Sequence, residues 1–262
     1  MVSQSSQPSG PATRLPEQQT KTDPAASSGL GPLLAYYLMP EMACPYLPDR
    51  GETKVITDLR GPGAKALYDS LSKGGFRRSH HFAYRPACSG CQACVPVRVR
   101  VPDFLPGKSL RRIARRNRDL RMTCAPALAS HEHFSLFSAY VGSRHRDGEM
   151  SGMTAADYRA MVEDSHIDTA LLEIRDSDNK LYAACLVDWL TDGASAVYSY
   201  FDPRLAERSL GSYLVLALLD ALKQQDKPYL YLGYWIKGAQ KMQYKTRFQP
   251  LEGLTPQGWR TI

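Results

Sequence analysis

Apolar side chains recur along this chain with two periods, and the switches between them outline its elements. Val95, Val97, Val99 and Val101 alternate with Arg98 and Arg100, the pattern of a half-buried strand. Extended runs also cover Leu33 to Met39, Val55 to Leu59, Ala170 to Ile174, Leu181 to Trp189, Ala196 to Phe201 and Tyr229 to Tyr234. Turn residues at Asp178-Asn179 and Asp192-Gly193 join three of these runs into a meander. Helical spacing places Ala64, Leu67, Tyr68 and Leu71 on one helix, closed by Gly74-Gly75. Phe134, Phe137 and Val141 mark a second helix over 131–141. Thr154 followed by Asp157 opens a third with a capping-box variant. Leu210 to Leu222 is apolar nearly all round, so this helix is buried on both sides. Gly238 to Phe248 predicts a last, short helix. Strands, a buried helix, a strand and a helix make an α/β sandwich.

The stretch from Gly75 to Cys94 stands apart. It holds three arginines, three aromatics, two histidines and three cysteines in twenty residues. Read as one strand, Phe76, Phe82 and Tyr84 share one face, and Arg77 and Arg85 the other. It ends in Cys88-x-x-Cys91-x-x-Cys94, and Cys44 supplies a fourth sulfur. This set fits either buried free thiols or a metal or cluster site, zinc or iron–sulfur.

Composition narrows the class. The chain has 262 residues, 43% hydrophobic and 23% charged, which suits one large or two modest folded domains. Residues 1–30 are Ser-, Pro- and Gln-rich, which predicts a disordered tail and excludes a secretory signal. No apolar run is long enough to span a bilayer. Six cysteines in this arrangement point to a reducing cytoplasm rather than to a disulfide scaffold.

Charge changes the picture most. The net charge is +7, yet Lys73 to Arg121 alone carries 13 Lys/Arg against Asp103 and Asp119. A predicted helix from Ser109, its N-cap, to Arg121 carries Arg111, Arg112, Arg115, Arg116, Arg118 and Arg121. Only Asp119 dilutes it, whereas solvated faces usually mix signs. Such a stripe suits a polyanion, and arginine also stacks on unpaired bases. At the meander-to-helix junction, Arg208 through Ser212 resembles the phosphate-cradling loop of acetyltransferase-type folds. Tyr213 stands where a small residue would admit the phosphate, so acyl-CoA is not expected as a partner. Tyrosines and cations crowd two strand ends, Tyr198 to Pro203 and Gly233 to Phe248. There Lys241, Tyr244 and Lys245 share one short helix.

Taken in order, these motifs resemble the aminoacyl-tRNA–protein transferases, and within them the bacterial aspartate/glutamate leucyltransferases. The match is carried by Cys44 to Pro48, Gly75 to Ser79, Tyr84 to Pro86, Cys88 to Arg98 and Ser109 to Arg112. It continues through Tyr198 to Pro203, Ser209 to Gly211, Gly233 to Ile236 and Lys241 to Pro250. The resemblance implies transfer of leucine from leucyl-tRNA to proteins with an N-terminal Asp or Glu, marking them for degradation. The arginyl-tRNA transferases share several of these themes. It also implies an N-terminal cysteine-bearing domain, 31–106, and an acetyltransferase-like domain, 107–262, in an α/β (α+β) fold.

That chemistry assigns expected roles. The ester donor is already activated, so no cofactor is required for the transfer. Tyr200 and Asp202 are candidates to assist the acceptor amine, and Lys241 and Tyr244 to stabilise the tetrahedral oxyanion. Arg77, Arg78 and Arg85 are the local supply for reading an acidic side chain. Arg111, Arg112, Arg115, Arg116 and Arg118 would hold the tRNA. Two other classes share parts of the pattern, a plain acetyltransferase and an RNA-binding module with a zinc knuckle.

Overall fold

The computed structural model describes residues 34–144 and 149–262; the expected tail at 1–30, and Leu33 of the first expected strand, lie outside them. By contacts the chain divides into Met1–Leu34 and Ala35–Ile262, and every element belongs to the second unit. It begins with β1 (Tyr37–Leu38), β2 (Met42–Ala43), β3 (Gly51–Glu52), β4 (Lys54–Asp58) and α1 (Ala64–Lys73), followed by β5 (Arg77–Ser79) and β6 (Phe82–Pro86). β2 and β3 pair with each other. The others form an antiparallel sheet in the order β1-β4-β6-β5. α1 ends where Gly74 N–H returns to Ser70 O, and it packs Ala64, Tyr68 and Leu71 against Leu59 and Ala83.

The single strand expected through Gly75 to Arg85 is a hairpin. Ser79 pairs with Phe82, and His80 takes φ 51° in the two-residue turn. The reversal puts Arg77 directly opposite Tyr84, so the two share a face instead of opposing one another.

The rest of the unit is built on one large sheet. β7 (Val95–Arg100), α2 (Lys108–Arg116), β8 (Arg121–Pro126), α3 (His131–Arg144) and α4 (Ala155–Glu163) come first. β9 (Thr169–Arg175), β10 (Leu181–Leu190), β11 (Gly193–Phe201), α5 (Leu210–Gln224), β12 (Tyr229–Trp235), β13 (Leu251–Thr255) and β14 (Gly258–Thr261) complete it. The eight-stranded order is β14-β13-β7-β12-β11-β10-β9-β8. β7 therefore lies between β12 and β13, inside the sheet that the sequence assigns to the second domain.

Alternation along β10 sorts the two faces. Ala183, Cys185 and Val187 join the core under α2 and α5, whereas Ala184 and Leu186 join Phe137, Val141 and Tyr158 of α3 and α4. The capping box of α4 is present, with Thr154 and Asp157 exchanging both bonds. α5 buries Leu210, Leu214, Val215, Leu216, Leu218, Leu219 and Leu222.

Two more expected elements differ. The arginine helix starts one residue before Ser109, is capped by Gly107 without a side-chain bond, and stops at Arg116. Buried Asn117 ends it by donating its amide to Ile113 O at 3.0 Å and Arg208 O at 2.9 Å. Arg118 and Arg121 therefore leave the helical stripe, and Arg121 opens the edge strand β8. The last helix is a 3-10 segment, Gln240–Arg247. β13 and β14 were not legible as strands.

One irregularity positions the site. β11 and β12 run parallel but pair only from Gly193 opposite Tyr229 to Ser195 opposite Tyr231. The approach is so close that a Cβ on Gly193 would lie 1.8 Å from Tyr229 O. Register breaks then fall on both outer sides of the pair, at Leu186/Val187 and at Tyr231/Gly233. Each inserts an extra residue and bends its strand, so β11 and β12 diverge.

Candidate active site

Divergence strips backbone carbonyls of their sheet partners, and a buried unpaired carbonyl costs about 1–3 kcal/mol. Arg77 reaches in from β5 to satisfy them. Its Nη2 donates to Ala196 O at 3.0 Å and Val197 O at 2.5 Å, and its Nη1 to Leu232 O at 3.4 Å. Gly233, at φ +74°, makes room, since a Cβ there would sit 1.3 Å from Arg77 Nη1. Beside it, Lys245 is 6% exposed and donates its Nζ to Tyr234 O. Lys245 has no carboxylate partner among the described residues. Burial, and then the Arg77 charge, push its ammonium down to about 7. Tyr244 places its ring 5.9 Å from the same Nζ. Tyr198 Oη and Trp235 Nε1, on the two diverging strands, are buried without hydrogen-bond partners among the described residues. Sequence reasoning puts Trp235 in the core and gives no sign of either orphan, because both arise from the divergence.

The remaining expected residues scatter around this centre. Tyr200 is fully buried, its hydroxyl 2.5 Å from that of Tyr158 in the α3/α4 core, so it packs rather than reacts. Asp202 spends its carboxylate on Arg204, at 2.9 and 2.7 Å, which holds it below the usual range and makes it a poor base. Lys241 and Tyr244 are exposed on the 3-10 segment. Arg78 is buried and committed to Asp188 at 2.9 and 2.8 Å, with its Nη1 on His80 O, so it is paired with an internal carboxylate and shielded from a substrate. Arg85 is exposed and donates to Gly74 O. It projects from the face of β6 opposite to Arg77.

Cys44, Cys88, Cys91 and Cys94 do converge. Burial pushes the Cys94 thiol up to about 11, and Cys44, Cys88 and Cys91 add to it. Thr53 N–H donates to Cys88 Sγ at 3.4 Å. Yet among the described residues no group of three or more His, Cys, Asp or Glu is arranged to hold a metal ion.

The basic surface lies on α2, where Arg111, Arg112, Arg115 and Arg116 are exposed, with Arg118 just past its end. Arg111 donates to Pro106 O and Arg116 to Glu207 O. The nearby acid, Asp119, is taken by Arg208 at 2.8 Å, which leaves the stripe undiluted. Arg247 links this surface to α5, bonding Ser109 Oγ and Ser212 Oγ. Tyr213 turns its hydroxyl to Leu120 O. No helix among the described residues is long and apolar enough to cross a membrane.

The candidate site thus joins diverging parallel strands, a buried lysine with no carboxylate partner among the described residues, and a basic helix. Its matches to known proteins place the chain in the aminoacyltransferase class. The models "Arginine-tRNA-protein transferase, N terminus" and "Arginine-tRNA-protein transferase, C terminus" match residues 42–112 and 132–255. The "Aspartate/glutamate leucyltransferase" of Paramagnetospirillum magneticum is 51% identical over 86% of this chain and 92% of its own. That of Granulibacter bethesdensis is 51% identical over 87% and 85%. The chain belongs to this aminoacyl-tRNA–protein transferase family. Among solved structures, L-PGS from Bacillus licheniformis is similar at a TM-score of 0.43 and 15% identity, over 64% of this chain and 49% of that one. A GCN5-related glucosamine N-acetyltransferase region of a fungal glycosidase reaches 0.40 at 9% identity, over 78% and 22%. Both likenesses are slight.

Proposed function

We propose that this protein moves leucine from leucyl-tRNA to proteins that begin with Asp or Glu, in the cytoplasm, as a mark for degradation. The observation that carries the chemistry is Lys245, a buried amine with no counter-ion among the described residues, at the opening between β11 and β12. An acceptor α-ammonium has a reference pKa of about 7.7–8.0, so a neighbouring amine that titrates near 7 can take its proton. The freed nitrogen attacks the ester carbonyl carbon and a C–N bond forms. The tetrahedral oxyanion is met by Lys241 and Tyr244. Its collapse breaks the bond to the ribose oxygen, which receives the second proton from nitrogen. Arg77, fixed by its carbonyl bonds, reads the acidic side chain. Alignment of two bound substrates contributes more than any single group.

The test is single-turnover transfer of labelled leucine from leucyl-tRNA, with arginyl-tRNA alongside, to peptides beginning with Asp, Glu or Lys. Leucine on the Asp and Glu peptides alone is expected. Arginine transfer would keep the family and overturn the donor. No transfer with tight tRNA binding would favour an RNA-binding module. The tRNA contact has its own signature. Removing Arg111, Arg112 and Arg115 together is expected to flatten the log affinity against log salt slope by about 2–3, roughly one per lost phosphate contact. An unchanged slope in filter binding would place the tRNA elsewhere.

A further inference from the structure

Register across the small sheet lines up one residue per strand. Tyr37 of β1 lies opposite Ile56 of β4, Ile56 opposite Tyr84 of β6, and Tyr84 opposite Arg77 of β5. Directly paired residues share a face, so these four form a stripe from β1, the outer strand of the small sheet, to Arg77 at the opening between β11 and β12. The opposite face carries Thr57, Ala83 and Arg78, all buried. Exposure grades along the stripe. Arg77, Tyr84 and Ile56 are half-buried and Tyr37 is 58% exposed. Tyr46 flanks it, its phenol pushed up by burial and then by the neighbouring Tyr84.

We propose that this stripe is the seat of the acceptor polypeptide just beyond its first residue. The proposal rests on the reading above, in which Arg77 meets the acceptor's N-terminal side chain. The acceptor must thread a chain terminus into the opening, so its next residues leave it extended. Three strand-to-strand steps of about 4.8 Å span roughly 14 Å, the length of about four extended residues. Two tyrosine rings and an isoleucine along that length give a surface for backbone and apolar side chains. Its inner end is continuous with the site, which singles out the acceptor over other occupants.

The experiment is competition for a fluorescent Asp-initiated octapeptide on the full chain, by unlabelled Asp-initiated peptides of increasing length. Affinity is expected to tighten up to about five residues and then level off. Tyr37→Ser is expected to weaken the octapeptide about tenfold, as for a buried aromatic anchor, and to leave the dipeptide unchanged. Leu38→Ser, on the same strand but the other face, should change neither. Equal affinity for dipeptide and octapeptide would sink the proposal. So would a Tyr37→Ser variant that dissolves a dimer in sedimentation while binding peptide normally, because a second copy would then own the face. Leucine transfer is measured in parallel. Length-dependent binding without transfer would overturn the reaction and keep the surface.

Discussion

Lys245→Met is expected to cut transfer by about 10²–10⁴-fold, the usual contribution of a positioned base, while making the protein more stable. The two effects share one cause. Lys245 sits buried beside the Arg77 guanidinium with only a carbonyl to bond, and its pKa falls from 10.5 to about 7. In the unfolded chain the amine stays protonated up to its ordinary value. Between pH 7 and 10.5 the unfolded state thus binds the extra proton, and wild-type stability rises with pH across that window. Below pH 7 the full penalty applies, on the order of 5 kcal/mol. Methionine fills the same volume without a charge. It leaves Tyr234 O without its donor, at a cost of about 1–3 kcal/mol, so a net gain of at least about 2 kcal/mol at pH 6 is expected. Urea unfolding at pH 6 and pH 10 should show the gain shrinking at the higher pH. In the rate profile, the ascending limb near pH 7 should disappear and leave the acceptor amine's own. A variant that loses stability and keeps its rate would remove Lys245 from the chemistry.

Arg78→Ala is expected to destabilise the protein by about 3–5 kcal/mol, because it strands a buried carboxylate. Arg78 and Asp188 are 1% and 0% exposed at their side chains and bond through two parallel contacts. Thr169 Oγ1 still donates to Asp188 after the change, which is too little to carry a buried charge. Arg78→Lys restores little, since an ammonium cannot match the two-pronged geometry. Arg78→Met with Asp188→Leu should recover most of the loss, as an apolar pair often replaces a buried ion pair at small cost. The urea midpoint should fall with an unchanged slope. At low temperature, Arg78→Ala should still prefer Asp and Glu acceptors. A lost preference would return Arg78 to the set of reading residues.

Arg78 shows where sequence reasoning stops. Adjacent arginines on one short strand point to opposite faces, so one of the two was bound to leave the site. Which one depends on the turn. The two-residue loop at His80-His81 reverses the chain and sets Arg77 opposite Tyr84. Alternation within a single strand cannot register that. Lys245 shows the same limit. It stands in the same run of cations and tyrosines as Lys241 and Tyr244, but only packing against Tyr234 separates a buried amine from two exposed side chains. Asn117 likewise ends α2 through Arg208, 91 residues away, and so removes Arg118 and Arg121 from a stripe that local spacing supports.

The sequence by itself determined the α/β class, the meander, the α5 helix, the capped α4 and the basic helix. Those follow from side-chain periods and turn chemistry within a few residues. It also carried the motif order that fixed the family. Tertiary structure decided the place of β7 in the large sheet, the divergence of β11 from β12, the burial of Lys245 and Tyr200, and the stripe from Tyr37 to Arg77. Each of these is a pairing between segments far apart in the chain. Burial and register exist only once those segments meet.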